Sequence, residues 1–174
     1  MKKRTIMHHI LRAVKEYPVV SLTGTRQSGK TTLLKSLFPD YDYALLEEPD
    51  TRQFALQDPR GFLSQFKKKV IIDEAQRAPE LFSYIQGIVD EAQIPGQFVM
   101  SGSQNFLLMR QISQSLAGRV AIFHLLPFSM SELYERDGIH PVELNWDSIK
   151  NNSATSDPPP FFMTLEKPIS RARS

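Results

Sequence analysis

The sequence predicts an α/β domain built on a mainly parallel five-stranded sheet with helices on both faces. Short apolar runs rich in β-branched residues alternate with segments of helical spacing, which is the pattern of strand–helix–strand units. The runs are apolar at consecutive positions, as strands buried on both faces are. With 174 residues, 41% hydrophobic and 23% charged, the chain has the size and composition of one such domain.

Each predicted strand ends in small or polar residues. The five strands begin at Val19, Tyr41, Val70, Gln97 and Val120. The predicted helices cover 29–38, two short segments within 50–66, a segment after Pro79, and 105–116. Because ligands bind beyond the carboxyl ends of parallel strands, the ends at Gly24, Asp73 and Ser103 are expected to converge on one site.

The turn after the first strand reads G-T-R-Q-S-G-K-T at 24–31, which fits the phosphate-binding pattern G-x-x-x-x-G-K-[ST]. A glycine-rich turn lets backbone N–H groups surround a polyphosphate, and the helix that follows adds the positive end of its dipole. We expect Lys30 to reach the β- and γ-phosphates and the Thr31 hydroxyl to ligate Mg²⁺. The predicted nucleotide contacts are Gly24, Thr25, Arg26, Gln27, Ser28, Gly29, Lys30, Thr31 and Thr32.

The apolar run 70–72 ends in two adjacent carboxylates, Asp73 and Glu74. Acids often simply end a strand, but here they follow the phosphate loop by an interval of strand–helix–strand size. We therefore predict that Asp73 holds Mg²⁺, directly or through water. Glu74 is predicted to position and deprotonate the water that attacks the γ-phosphate.

Two further polar positions have weaker signals. Ser103, with Gln104 as second choice, ends the fourth strand where a γ-phosphate sensor would lie, although serine there is also ordinary turn chemistry. Arg119 precedes the fifth strand. It can serve a neighbouring subunit by stabilising γ-phosphate charge in the transition state, or it can form a surface ion pair.

The composition narrows the function classes. The chain has no cysteine, which excludes disulfides, thiolate metal sites and a cysteine nucleophile. Its first residues make a poor signal peptide, and no window is apolar enough for a membrane span, so a cytoplasmic protein is expected. The ends are basic and the middle is acidic, a distribution more typical of solvated surface than of a nucleic-acid site. Residues 1–135 are predicted to form the domain and 136–174 an irregular tail.

Four motifs together carry a family resemblance. They are L-T-G-T-R-Q-S-G-K-T-T-L at 22–33, I-I-D-E-A-Q at 71–76, S-G-S at 101–103 and S-L-A-G-R at 115–119. In this order they resemble the AAA-like P-loop ATPases of bacteria and archaea that carry a carboxy-terminal domain of unknown function. The likeness extends over about residues 4–135.

The resemblance implies a three-layer P-loop NTPase of the additional-strand, catalytic-glutamate division, with sheet order 5-1-4-3-2 and Glu74 as catalytic base. It also implies ATP rather than GTP, consistent with the lack of an Asn-Lys-x-Asp motif. The large carboxy-terminal domain of the family is not apparent after about Arg136. We therefore expect an isolated ATPase domain.

The leading functional hypothesis is an ATP hydrolase, dependent on Mg²⁺, whose cycle drives a conformational switch with a protein partner or another copy of itself. Two alternatives stay open: a nucleotide-binding module without productive hydrolysis, and a nucleic-acid-dependent ATPase. A small-molecule kinase is less favoured, because no arginine-rich lid segment follows the fourth strand.

Overall fold

The structure, a computed structural model, describes residues 4–66, 69–103, 115–129 and 132. The strands within these ranges are β1 (Val19–Gly24), β2 (Asp42–Leu45), β3 (Val70–Asp73), β4 (Phe98–Ser103) and β5 (Val120–Leu125). The helices are α1 (Met7–Glu16), α2 (Lys30–Leu37), α3 (Pro49–Gln57), α4 (Pro59–Ser64) and α5 (Leu81–Ala92). A short 3₁₀ turn, Ala75–Arg77, follows β3.

The five strands form one sheet in the order β2-β3-β4-β1-β5, and every neighbouring pair is parallel. Read from the other edge, this is the order 5-1-4-3-2, so the predicted fold class is confirmed. β1 lies between β4 and β5, and all six of its residues are buried. The phosphate loop therefore leaves the sheet from a central strand.

Alternation along the strands sends side chains into two separate apolar cores. Val19, Val70 and Ile72 belong to the core on one face, with side chains of α4 and α5 such as Phe62 and Phe82. On the other face, Val20, Leu22 and Ile71 pack with side chains from α1 and α2. The two cores explain why the strand sequences are apolar at consecutive positions and produce the predicted helix–sheet–helix layers.

Helix α1 is not among the elements predicted from the sequence. Its buried residues Ile10, Ala13 and Val14 have the i, i+3, i+4 spacing of one helical face, while His8 and His9 are exposed. The helix ends at Tyr17, which is extended, as expected of a residue before proline.

Two predicted segments lie outside the described residues: the helix at 105–116, except for its last two positions, and the tail at 136–174. Within the described ranges, none of the helices combines the length and the apolar character that crossing a bilayer requires.

Candidate functional site

The carboxyl ends of β1, β3 and β4 meet at one edge of the sheet. Gly24 at the end of β1 is in register with Ser103 at the end of β4. Ile72 of β3 is in register with Met100 of β4, so Asp73 lies beside the next residue of β4, Ser101. The predicted convergence of the three strand ends is thus present in the structure, and the phosphate loop opens onto the same edge.

The loop backbone turns twice through the left-handed region. Gln27 has φ 61° and Gly29 has φ 85°, immediately before α2 begins at Lys30. Successive N–H groups in a turn of this kind form a concave anion-binding surface, and the first N–H groups of a helix have no partner within the helix. The loop therefore offers donors and a positive helix end to a polyanion.

Gly24 is required by close packing against β5. A Cβ atom built on Gly24 would lie 2.5 Å from the Leu125 carbonyl oxygen and 3.2 Å from Ser28 Oγ. The Ser28 hydroxyl is itself buried, with no hydrogen-bond partner among the described residues. The first glycine of the motif thus allows the start of the loop to pack directly against the end of β5.

Lys30 lies inside the loop. Lys30 is only 6% exposed. Its Nζ donates to the carbonyl oxygens of Gly24, at 3.1 Å, and Thr25, at 2.8 Å. Burying an ammonium is costly unless its protons have acceptors, and these two carbonyls accept two of its three protons. The cation is therefore held against the first two residues of the loop.

Asp73 is the most connected acid of the site. Oδ2 accepts hydrogen bonds from Thr31 Oγ1, at 2.7 Å, and from the Tyr43 hydroxyl, at 2.8 Å. Oδ1 accepts from the Ser101 hydroxyl and from the backbone N–H of Glu74. Burial raises the pKa of Asp73, but the hydrogen bonds from Ser101, Thr31, Tyr43 and Glu74 outweigh burial and hold its pKa below the usual value. The carboxylate is therefore kept charged.

Tyr43 and Ser101 are contacts of Asp73 that the sequence analysis did not assign. Burial is the larger cause of a raised pKa at Tyr43, and its hydrogen bond to Asp73 raises the pKa further, so the hydroxyl stays protonated and donates. Ser101 lies one residue past the β4 partner of Ile72, and the sequence alone does not reveal this register. Tyr43 had no signal either, because aromatic residues in strands are usually core residues.

Glu74 turns the chain away from β3 in the left-handed conformation, with φ 56° and ψ 42°. This conformation is unfavourable for a residue with a side chain and is found most often at functional sites. The side-chain amide of Gln76 donates to Glu74 Oε2, while Gln76 Oε1 is buried without a partner among the described residues. Gln76, also unassigned from sequence, thus orients the predicted catalytic carboxylate.

The other residues predicted for the site are exposed or half-buried. Thr25, Arg26 and Gln27 are exposed at the tip of the loop, and Thr32 is exposed on α2. Ser103 ends β4 beside Gly24, half-buried, but the serine that contacts Asp73 is Ser101. Gln104, the second choice for a phosphate sensor, lies outside the described residues.

Arg119 lies at the opposite end of the sheet from the phosphate loop. It precedes β5, where Val120 is in register with Val19, and its carbonyl accepts from the Val19 N–H. The six residues of β1 separate this end from Gly24 by roughly 17 Å, at about 3.3 Å per residue. Its guanidinium forms a two-bond ion pair with Asp90 of α5. Within one chain Arg119 is thus far from Lys30.

Thr31 and Asp73 have the donors that suit a magnesium ion. Mg²⁺ prefers hard oxygen ligands and is usually bound by one or two protein oxygens together with phosphate and water. The Thr31 hydroxyl and the Asp73 carboxylate are 2.7 Å apart and lie next to the loop that would hold the phosphates. The donor set present therefore fits this ion.

Three features together define an AAA-like P-loop ATPase domain. They are the parallel sheet in this order, the glycine-containing loop after the interior strand β1, and the buried lysine at the start of the next helix. The comparison with protein families agrees. The chain belongs to the AAA domain family, which matches residues 16–134.

Two curated relatives, uncharacterized proteins of Mycobacterium tuberculosis and Mycobacterium bovis, are each 37% identical over 128 residues. The matches cover 72% of this chain and 29% of each relative, so the chain spans about three tenths of the length of these relatives. Among solved structures, a protein described as a Walker-type ATPase of Pyrococcus abyssi superposes with a TM-score of 0.51 at 17% identity. That match covers 80% of this chain and 60% of the other, and it supports the fold.

Proposed function

We propose that the protein binds ATP together with Mg²⁺ and hydrolyses it. The observation that carries this proposal is the hydrogen bond from Thr31 to Asp73, 2.7 Å long, beside a loop that holds the buried Lys30. The pair brings the predicted metal ligands of two separated segments into contact at the mouth of the loop. The family and the Walker-type ATPase of Pyrococcus abyssi support the same activity.

Each residue has a distinct task in this proposal. The loop N–H groups and Lys30 bind the phosphates, and Thr31 with Asp73 would hold the metal ion. When bound, Mg²⁺ neutralises charge on the β- and γ-phosphates. Glu74, oriented by Gln76, accepts a proton from the attacking water, and the left-handed backbone at Glu74 points this residue away from the line of β3.

The test compares the parent with Lys30→Ala and Glu74→Gln in nucleotide binding and in phosphate release. Removing the Lys30 ammonium is expected to weaken ATP binding about 10- to 100-fold, the usual loss for hydrogen bonds to a charged group. Glu74→Gln is expected to bind ATP as the parent does but to hydrolyse it about 10²- to 10⁴-fold more slowly, because general-base catalysis is lost. A parent that binds no nucleoside triphosphate contradicts the proposal.

A nucleotide-binding module without turnover is the second candidate. The observation that favours it is the hydrogen bond from Gln76 to Glu74, because a carboxylate held by an amide is less available to water. In this case parent and Glu74→Gln bind ATP equally and release phosphate at the same negligible rate. A clear difference in rate between the two rejects this candidate.

We further propose that hydrolysis drives a conformational switch that acts with a second copy or a protein partner. The location of Arg119, far from the loop of its own chain, supports a contribution to the site of another copy. A nucleic-acid-dependent ATPase is a weaker proposal, resting on the basic ends of the chain. ATPase stimulation by DNA that disappears at raised salt would support it, and no DNA binding at low salt would end it.

A further inference from the structure

Tyr43 has a contact that its position in the fold does not require. It belongs to β2, the edge strand, and its ring is partly buried against the core formed with α1 and α2. A phenylalanine would satisfy this packing equally well. The hydroxyl, however, reaches across to the neighbouring strand and donates to Asp73 Oδ2 at 2.8 Å.

Four donors surround the Asp73 carboxylate, so it would hold Mg²⁺ through water or in exchange for one of these donors. An ionised carboxylate has about four lone-pair positions. Here Thr31 and Tyr43 share Oδ2, while Ser101 and the Glu74 N–H share Oδ1. Thr31 is itself a proposed metal ligand, and the Glu74 donor is part of the adjacent backbone. Tyr43 and Ser101 are the two side chains that fix the carboxylate without being proposed ligands.

The Tyr43 ring is in turn held in place. Lys35 of α2 places its ammonium 3.6 Å from the centre of the ring, and the chain of contacts runs from Lys35 through Tyr43 to Asp73. Lys35 is on the same helix as Thr31, one turn further on. The Tyr43 ring thus lies between α2, the helix that follows the phosphate loop, and Asp73 at the end of β3.

We propose that Tyr43 is a positioning residue for the metal site, whose hydroxyl fixes Asp73 Oδ2 beside Thr31 and thereby sets the affinity for Mg²⁺ rather than the affinity for the nucleotide alone. Partners that orient a ligating carboxylate typically change metal affinity by about 10- to 100-fold when they are removed. This inference rests on the proposed Mg-ATP function. It adds to that function a residue outside the phosphate loop and the acid pair at the end of β3.

The experiment is a binding titration on the full chain with a fluorescent ATP analogue, first with EDTA and then with increasing free Mg²⁺. Tyr43→Phe is expected to bind the analogue within about twofold of the parent in EDTA. It is expected to need about tenfold more Mg²⁺ than the parent to reach the tighter analogue binding that Mg²⁺ produces. Neither readout depends on turnover. Circular dichroism and thermal melting establish that each variant is folded.

Tyr41→Phe is the matched control. Tyr41 precedes β2, is partly buried in the same core and packs on Phe38, but no hydrogen bond joins its hydroxyl to Asp73. The same atom is therefore removed two residues away. We expect this variant to match the parent in EDTA and in Mg²⁺.

Two unnatural side chains at position 43 make the test specific to the donor. p-Aminophenylalanine keeps an N–H donor near the place of the hydroxyl and is expected to restore most of the Mg²⁺ response. p-Fluorophenylalanine keeps the ring and a substituent close to the hydroxyl in size without a proton to donate. It should behave like Tyr43→Phe, and it serves in its place if the phenylalanine variant does not fold.

The two proposals fail in different ways. If Mg²⁺ leaves analogue binding by the parent unchanged, the proposed metal site is wrong and the inference on Tyr43 falls with it. If the parent responds to Mg²⁺ and Tyr43→Phe titrates within twofold of it, only the inference on Tyr43 is wrong. A loss of binding by Tyr43→Phe in EDTA as large as its loss in Mg²⁺ also contradicts it, because that result means a general structural effect.

Discussion

At the scale of single residues, the tightest constraint on the loop is at Gly24. A methyl group there would lie 2.5 Å from the Leu125 carbonyl oxygen, and a backbone atom cannot turn aside as a side chain can. We expect Gly24→Ala to lower the free energy of unfolding by about 1–3 kcal/mol, the usual cost of overpacking. Urea unfolding measures this change, and we also expect weaker ATP binding because the start of the loop is displaced.

Gly87→Ala is the control for this substitution. Gly87 lies within α5, and nothing lies within 4 Å of a Cβ built on it. Alanine is the better helix former, so we expect an increase in stability of about 0.5–1 kcal/mol and unchanged ATP binding. Equal stability of Gly24→Ala and the parent would show that β5 does not constrain the loop.

The sequence predicted those site residues that belong to contiguous motifs. Gly24, Lys30 and Thr31 occur in one segment, and Asp73 with Glu74 in another, so residue type and spacing were enough to select them. Tyr43, Ser101 and Gln76 were not selected. Ser101 and Gln76 lie inside motifs quoted for the resemblance, but their contacts with Asp73 and Glu74 could not be assigned from the sequence. Tyr43 lies outside those motifs, and a contact between strands leaves no pattern in a single sequence.

At the scale of elements, the start of α1 is joined to the segment that follows β5. Arg4 is 8% exposed, and its guanidinium lies 4.0 Å from the centre of the Phe128 ring and donates to the Leu126 carbonyl. Arg4 Nε is 3.4 Å from Glu132 Oε1, which also accepts from the Thr5 N–H at 2.8 Å. The two segments are thus held together by an ion pair and by hydrogen bonds between side chains and backbone groups.

This junction predicts a dependence of stability on pH. Burial raises the pKa of Glu132, but the N–H groups of Thr5 and Ser129 and the charge of Arg4 outweigh burial, so its pKa is lowered from 4.5. A lowered pKa means that this carboxylate stabilises the fold above about pH 4.5 and that the contribution is lost as the pH falls through the folded-state pKa. The difference in unfolding free energy between parent and Glu132→Gln should therefore be largest near neutral pH and shrink in acid.

The control for the junction is Glu16→Gln. Glu16 pairs with Arg12 one turn away on α1, and both side chains are largely exposed. Exposed pairs contribute little, so this variant should follow the parent across the same pH series. A difference between Glu132→Gln and the parent that stays constant down to acid pH would contradict the role given to the Glu132 charge.

The elements themselves were predicted with uneven success. The strands were predicted because consecutive apolar residues mark them, and α5 because five apolar positions lie on one helical face. Helix α1 was missed because its buried face has only Ile10, Ala13 and Val14, which span little more than one helical turn. The attachment of α1 through Arg4 depends on residues 122 positions apart or more, which local spacing cannot reveal.

At the scale of the whole molecule, the loop and Arg119 lie at opposite ends of the sheet, so an isolated chain cannot bring them together. If Arg119 serves the site of another copy, specific ATPase activity should rise with protein concentration. Arg119→Ala should remove that rise, with a loss of about 10³-fold or more at saturation, as for arginines supplied in trans. Phosphate release at several protein concentrations, with sizing in ATP, measures this.

Asp90→Ala separates this role from a structural one. It breaks the same ion pair but leaves the arginine in place. If Arg119 acts in trans, the Asp90→Ala variant keeps the dependence on concentration. If both substitutions have the same effect, or if specific activity does not vary with concentration, Arg119 serves the fold of its own chain.

The strand order of the whole sheet was available only through the family resemblance. Alternating strands and helices predict a parallel sheet, and local pattern then leaves the order of the strands open. The order matters because it places Gly24, Asp73 and Ser101 side by side. The site is therefore a property of the topology as much as of the motifs.

The placement of β1 between β4 and β5 has a consequence for biosynthesis. On the ribosome, β1, all six residues of which are buried in the folded sheet, emerges early, but its two hydrogen-bonding neighbours begin only at residues 98 and 120. Until then β1 has no permanent partner on either side, and an unpaired apolar strand is a template for aggregation. The nascent chain thus carries its phosphate loop on an unprotected strand at least until β4 has been made, and holding that strand apart from other chains is a task for the chaperones of the cell.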